Sequence, residues 1–590
     1  AAAAGQLFVS AENAMFNNYF AGAQVVEIIV KDPNRILTAE SQSEPTVKVN
    51  EFPIRMAQGV DGYWYAYIVE SNEVAAADAN ANLDFGSSSE AFTTVTFNSN
   101  IVSYHPDATA NIVGQAPSLS NWNSVTNLAD VDAGQIGVDT DEWPFIQALD
   151  FTLETIEIKL EQAGTDEVVT LKHDNDDIDN YSSVALDRNA ASFDAEVHLT
   201  VTDQALNIDP TTEDIVMFKV DSDYGVSFKA TSTSSLADYA AFSNGFDDNG
   251  KLKINYNANG ADNAVLINES TADDFYADVY LVFYETAENS GIFVNTDDDD
   301  DSSLNVNTSA LGARGTTATI DYADSAQSFA IAHDFATIDM DAASVGDEWN
   351  SGEEMTIVLY DQDLNLNTFK DEDLTVSGGT LVPSIQIGSP LTATSAGDGD
   401  ATSVSSFSKI ALYDNAVTAT TFTIDTGYDL TALVAIETDY TFFAYDFDSF
   451  GTVSSVTLQD GSANVLATTT DGQGIKVIAA AAVDTAVTAA AAGNLDVVVV
   501  IDTTSTQSSS PFTADIFSFD EATNNAIYRV ELEETGDNTG IFEGSAEYVM
   551  LNQINAFVVG TYSAVNPTQD DVDMIVHLDM TDEDSIRVNY

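Results

Sequence analysis

Apolar and polar residues alternate with a period of two along much of this chain. In Thr155-Ile156-Glu157-Ile158-Lys159-Leu160, three aliphatic side chains share one face and polar ones share the other. Short continuous apolar runs such as Val497 to Ile501 read as strands covered on both faces. Asp, Asn and Gly recur between these runs about every ten residues, a spacing that suits hairpins and sandwiches better than βαβ units. The pattern predicts an all-β chain of tandem immunoglobulin-like β-sandwich domains. One stretch, Ala479 to Ala492, favours helix through its alanine content. Tyr63, Tyr65 and Tyr67 alternate with other residues, so they line one aromatic strand face suited to packing in a core or between subunits.

Internal repeats divide the chain further. Three stretches share a strand, a closing Asp and a polar turn with Asn. They are Val26 to Asn34, Val197 to Asn207 and Thr356 to Asn365. Each is followed by another strand, at Thr46 to Val49, Asp214 to Val220 and Asp373 to Val376. A second element, Glu285-Thr286-Ala287-Glu288-Asn289-Ser290-Gly291-Ile292-Phe293, matches Glu534-Thr535-Gly536-Asp537-Asn538-Thr539-Gly540-Ile541-Phe542. A third echo pairs Thr319-Ile320-Asp321-Tyr322 with Ile586-Arg587-Val588-Asn589-Tyr590. From Asp203 to Thr286 is 83 positions, and from Asp361 to Thr535 is 174. The second copy therefore holds an insertion the size of one such domain, placed near 380–480. The expected layout is 1–145 as N-terminal immunoglobulin-like domain(s) and 146–330 as the first full repeat unit. Residues 331–480 include the inserted domain, and 481–590 complete the second unit.

Charge narrows the partners. The chain has 590 residues, 96 acidic against 17 basic, and a formal net charge of -79. No clustered Lys or Arg is available to bind phosphate, so nucleic acid and anionic membranes are excluded as partners. Cations are the natural counterparts: ammonium, alkali ions and calcium. High acidity also serves solubility and salt adaptation. The chain has no cysteine, which excludes disulfides and thiolate chemistry. No run of 18 apolar residues exists, so no membrane-spanning helix is expected. The opening Ala1-Ala2-Ala3-Ala4-Gly5 resembles the region after a signal-peptidase cut and predicts a secreted protein.

Candidate chemistry is sparse. The histidines are His105, His173, His198, His333 and His577, and none falls in a metalloprotease-type pair. No nucleophile elbow is present, and the chain reads as a protein that is not an enzyme. Gly245-Phe246-Asp247-Asp248-Asn249-Gly250-Lys251 matches the glycines and lysine of a phosphate loop. Its aspartates would repel phosphate, and Asp-Asn-Gly reads as a hairpin turn. Calcium takes six to eight hard oxygens from flexible loops. Asp361, Asp363, Asn365 and Glu372 have the offsets of an EF-hand loop, although Leu366 replaces the required glycine. Asp203, Asn207, Asp209 and Asp214 are the equivalent set. Asp174, Asp176, Asp177 and Asp179 form a second cluster, and Asp297 to Asp301 a third. Asx turns without any metal explain the same residues. Asn180, Asn268 and Asn307 begin glycosylation sequons.

The strand-Asp-Gln-Asp-Leu-Asn turn at 361–365 and the Glu-Thr-Gly-x-Asn-Thr-Gly-Ile-Phe-Glu-Gly motif at 534–544 resemble the surface-layer (S-layer) proteins of ammonia-oxidising archaea. The acidic, cysteine-free composition fits, and the likeness covers most of the chain, least so over 50–190. The resemblance implies an extracellular, cell-surface subunit of a porous two-dimensional lattice, hexameric in symmetry. It implies self-association and a sheet through which ammonium passes, with calcium or other cations as ligands and no organic cofactor. Such proteins can run longer than Tyr590, which falls inside a strand of a repeat. The alternative is a calcium-dependent adhesin or stalk of the same domains.

Overall fold

The computed structural model describes residues 6–39, 42–54, 56–59, 61–70, 72–73, 93–97, 100–104, 146–149, 151, 155–220, 224–229, 239–241, 246–254, 265–268, 280–308, 310–346, 348–388, 390–395, 401–403, 411–413, 420–431, 433, 440–490, 494–506, 510–519, 524–550, 565–576 and 585–590. His105 and His577 lie outside these residues, as does Gly245. Strands make up nearly all the regular secondary structure of the described residues, and the chain forms two compact units, 1–333 and 334–590. No described helix is long and apolar enough to cross a membrane.

The first unit holds two sandwiches. In the first, one sheet runs in the order Leu7–Val9, Val26–Val30, Trp64–Glu70, Ile146–Leu149, Asn100–Tyr104, Thr93–Phe97. The other runs Tyr19–Phe20, Glu167–His173, Ile156–Glu161, Thr46–Val49, Phe52–Ile54. Alternation explains the packing. Ile156, Ile158 and Leu160 point into a core with Val26, Ile28, Val30, Trp64 and Ile68, while Glu157 faces water. Because Ile156–Glu161 pairs with Thr46–Val49, this sandwich extends to residue 173, and the boundary expected at 145 falls inside it.

The second sandwich has a sheet ordered Ser183–Leu186, Leu199–Thr202, Ile292–Val294, Tyr280–Glu285, Ile215–Lys219, Gly225–Lys229, Tyr239–Ala241. Its other sheet is Ala190–Ala191, Gln327–Ile331, Thr317–Asp321, Lys253–Ile254. Phe218 sits edge-on to both Phe283 and Tyr322, with ring centres 5.2 and 5.6 Å away. Lys253–Ile254 pairs with Thr317–Asp321 and not with a hairpin partner, so Asp248-Asn249-Gly250 is not the hairpin turn expected.

In the second unit, Met355–Tyr360 pairs with Ile541–Met550, beside Leu532–Glu534 and Asp373–Leu374. A further sandwich interrupts this one. Thr421–Asp429, Asp496–Thr503, Val453–Asp460 and Val465–Thr469 form one sheet. Tyr440–Asp446 joins Gln473–Ala479 and Ser510–Phe519 in another. Their shared core includes Phe422, Phe443, Tyr445, Phe447, Phe450 and Phe512. The interruption carries strands from Leu391–Ser395 to Ser510–Phe519, so it reaches well past 480. The alanine-rich stretch forms a helix, Ala480–Ala490, whose Val483 and Ala486 enter the same core.

Candidate functional site

The two repeat copies fold into the same knot, one in each unit. In each, a strand ends at an aspartate that caps a single 3-10 turn. Asp203 accepts from the Ala205 N–H at 2.8 Å, and Asp361 from the Asp363 N–H at 3.1 Å. A tyrosine hydroxyl reaches each from distant sequence. Tyr322 donates to Asp203, and Tyr590 donates to Asp361 at 2.9 Å. The third sequence echo is thus this tyrosine. In the first copy Asn249 Nδ2 also donates to Asp203, at 3.1 Å, and the Gly250 N–H donates to Tyr322 at 2.9 Å. The loop that mimics a phosphate-binding motif therefore plugs the knot. Asp203 is fully buried, and burial pushes its carboxyl up to about 6 against the pull of these hydrogen bonds.

Next comes the turn asparagine. Asn207 Nδ2 donates to Asn289 Oδ1 at 2.7 Å, and Asn365 Nδ2 to Asn538 Oδ1 at 2.8 Å. The closing glutamate completes the match. Glu285 Oε1 accepts from the Gly291 N–H at 2.8 Å, and Glu534 Oε1 from the Gly540 N–H at 2.6 Å. Both glycines have positive φ, 63° and 59°, which allows the backbone to fold onto the carboxylate. Period-two alternation explains why these glutamates point inward. Glu285 follows buried Leu281 and Phe283, and Glu534 follows buried Leu532, on one strand face. Glu70 ends Trp64–Glu70 the same way and accepts from the Asn72 and Glu73 N–H groups.

Each glutamate then meets a second acid. Glu285 Oε2 accepts from the Asp214 N–H at 3.0 Å, and Asp214 Oδ2 accepts from the Asp209 N–H at 2.9 Å. Glu534 Oε2 accepts from the Glu372 N–H at 3.3 Å, and Glu372 Oε1 from the Leu366 and Asn367 N–H groups at 3.1 and 2.6 Å. Asp214 and Glu285 are 2 % and 3 % exposed. Burial first, and then the charge of Glu285 and Asp209, holds Asp214 well above the usual carboxylate range. Burial pushes Glu285 up to about 7, and burial with the neighbouring Glu534 pushes Glu372 up to about 8. Among the described residues, no lysine or arginine forms an ion pair with any of these four acids.

The expected ligand sets are thus partly redrawn. Asp203 and Asp361 are capping residues held by tyrosine, and Asp363 turns away to accept from the Asp334 N–H at 3.0 Å. The EF-hand offsets do not describe the cluster. Asp209 and Asp214 are linked through the Asp209 N–H, whereas Asn207 and Asn365 bond distant asparagines; Asp214 and Glu372 each gain a distant glutamate that sequence spacing missed. Asp174 accepts from the Asp176 and Asp177 N–H groups, an ordinary capped turn. Only Asp179 of that cluster joins other acids, with its carboxylate within 4.8 Å of those of Asp247 and Asp248. Asp297 likewise accepts from Asp299 and Asp301 N–H groups in an exposed loop. Of the sequon asparagines, Asn180 is exposed, Asn307 is half-buried and Asn268 ends the strand Leu266–Asn268.

No protein-family model matches the chain, nor does any curated protein. Among solved structures, the Escherichia coli adhesin FdeC is similar at 10% identity and a TM-score of 0.15, over 65% of this chain and 83% of that one. The SGBP-B protein of the Bacteroides ovatus mixed-linkage glucan utilization locus, in complex with a mixed-linkage heptasaccharide, is similar at 8% identity and a TM-score of 0.13. That match covers 63% of this chain and 61% of the other. A crystal structure with a xylogluco-oligosaccharide gives 9% identity and 0.12 over 88% and 98%. Scores of this size carry no argument, so the architecture rests on the strand pairing itself.

Proposed function

We propose that this chain is a structural subunit of an extracellular surface layer, without a catalytic role. The observation that carries the reading is a repeated, strand-built framework bearing a formal net charge of -79 with only 17 basic residues. Tandem sandwiches are rigid modules that bury their cores locally and leave their edges and ends for association. The resemblance of the 361–365 and 534–544 motifs to archaeal S-layer proteins selects a two-dimensional lattice, of hexameric symmetry, from among acidic surface proteins.

A sheet of this composition carries a negative potential. One to two kT would enrich a monovalent cation such as ammonium by roughly three- to sevenfold and deplete anions. At marine ionic strength the screening length is under about 4 Å, so the effect acts only inside narrow pores. Sedimentation of the purified chain across a calcium series tests the reading. Growth from monomer to large assemblies supports a lattice subunit. Persistence as an elongated monomer that merely stiffens with calcium supports a calcium-dependent adhesin or stalk. That second reading draws on the first knot's place between two consecutive sandwiches. There the Val25 N–H donates to Ile208 O at 3.0 Å and Asn289 Nδ2 donates to Ser10 O at 3.0 Å.

A further inference from the structure

We infer that the strand Asp571–Val576 is fastened to Ile541–Met550 by a proton latch: Glu547 and Asp573 share one proton, and the strand loosens when that proton leaves. The inference does not depend on lattice formation.

Strand register builds the latch. Asp571–Val576 runs parallel to Ile541–Met550, with Glu547 directly beside Asp573. Residues side by side on neighbouring strands share a sheet face about 4.8 Å apart. On the far side of Ile541–Met550, Met355 pairs antiparallel with Ala546, and continuing that register sets Glu354 opposite Glu547. Glu354, Glu547 and Asp573 thus form one acidic row across the sheet. Asp571 lies on the same face and accepts from the Ser545 hydroxyl at 2.8 Å. Glu543 shares the outward face of Glu547 further back along its strand. Among the described residues, no lysine or arginine forms an ion pair with any of these acids.

Like charges directly beside each other weaken a strand pair, and two carboxylates in contact cannot both stay ionised. The Glu547 and Asp573 carboxyl groups are in hydrogen-bond contact, which requires a proton between them. That contact first, then partial burial and the charges of Asp573, Asp571 and Glu354, push Glu547 up to about 7. The folded value lies above the ordinary one. The latch therefore contributes fully below the unfolded value and is lost as pH rises through about 7. Within its sheet, Asp571–Val576 pairs with no other described strand. Its inward residues Val572 and Met574 are fully buried, and the Ile575 N–H donates to the Tyr528 hydroxyl at 3.1 Å. Those anchors keep the strand seated, so losing the proton raises its rate of local opening and does not unfold the sandwich.

Hydrogen exchange on the full chain tests the latch, read on peptides covering 571–576 and corrected for the intrinsic exchange rate. With chelator present, protection there should fall by about tenfold between about pH 6 and about pH 8. Glu547→Gln puts an amide donor where the shared proton was. It should keep the strand protected at the higher pH and remove the step. Asp573→Asn should do the same from the other strand. Glu354→Gln takes away one flanking charge and should move the midpoint to lower pH. Peptides covering Asp373–Leu374, which depend on Glu372 and Glu534, should keep their own pH dependence in all three variants. Protection at 571–576 that shows no step across this range would overturn the inference. So would a step that survives both Glu547→Gln and Asp573→Asn.

Discussion

Replacing Tyr322 by Phe removes one oxygen from the most enclosed part of the first knot. The hydroxyl donates to Asp203 and accepts from the Gly250 N–H, and both Tyr322 and Asp203 are fully buried. A hydrogen bond to a charged group contributes about 1.5–3 kcal/mol, and a stranded buried N–H costs about 1–3 kcal/mol more. Relaxation around the ring recovers part of this, so a loss of about 3 kcal/mol is expected near neutral pH. The loss is pH-dependent. Asp203 has a folded-state value pushed up to about 6, above its ordinary one, so its folded form binds more protons. Stability from this group is complete below the unfolded value and drains as pH rises through about 6. Removing the donor raises the folded value further and extends the drain to higher pH. The variant should therefore lose more at pH 8 than at pH 5. Hydrogen exchange read on peptides from 183–331 gives the local stability free of the second unit. Unchanged protection there, or an equal loss at both pH values, would refute the assignment of Tyr322 as the donor that keeps Asp203 charged. Tyr590→Phe is the internal control. Tyr590 is only half-buried, so about 1 kcal/mol is expected at 337–550.

Three further outcomes follow from the same packing. Gly291→Ala places a Cβ at positive φ, 2.7 Å from Gln204 Oε1 and 2.9 Å from Phe16 Cζ, and should cost about 2 kcal/mol or more by thermal unfolding. Without divalent cations, the second unit should be most stable at mildly acid pH and lose stability as pH rises through about 8. Burial and Glu534 raise the folded-state value of Glu372, so its contribution vanishes as it ionises. Arg529→Ala should destabilise the second unit by about 3–5 kcal/mol, because Arg529 and Asp515 are 1 % and 2 % exposed and the change leaves a buried charge uncompensated.

Much of this fold was legible in advance because alternation reports burial directly. Ile156, Ile158 and Leu160 are buried where the pattern put them, and the alanine run is the helix. The knots were half legible. Asp203 and Asp361 stand out as strand-ending residues, and the glutamate motif stands out as a repeat. That the two elements meet was hidden by distance: Asp214 and Glu285 are 71 positions apart, Glu372 and Glu534 162. One signal was available. A glutamate at the inward position of an alternating strand, after Leu281 and Phe283 or after Leu532, marks a carboxylate aimed at the core. The EF-hand offsets misled because Asx capping uses the same spacing, and Asp363 obeys the cap and not a metal. The 145 boundary failed because Glu167–His173 returns to pair with Tyr19–Phe20, a long-range contact with no local trace. The repeat arithmetic revealed that a sandwich is inserted but undershot its length, since its strands run from Leu391–Ser395 to Ser510–Phe519. Its first strand follows the Ser384–Ile387 strand, and no composition change marks its end.

The central claim is that these acidic sandwiches assemble into a sheet. Electron micrographs of the purified chain, taken with and without calcium, test it most directly. Ordered two-dimensional arrays with a regular pore spacing, formed on adding calcium and lost on chelation, are the predicted result. Isolated, non-associating particles under every calcium and salt condition would contradict it.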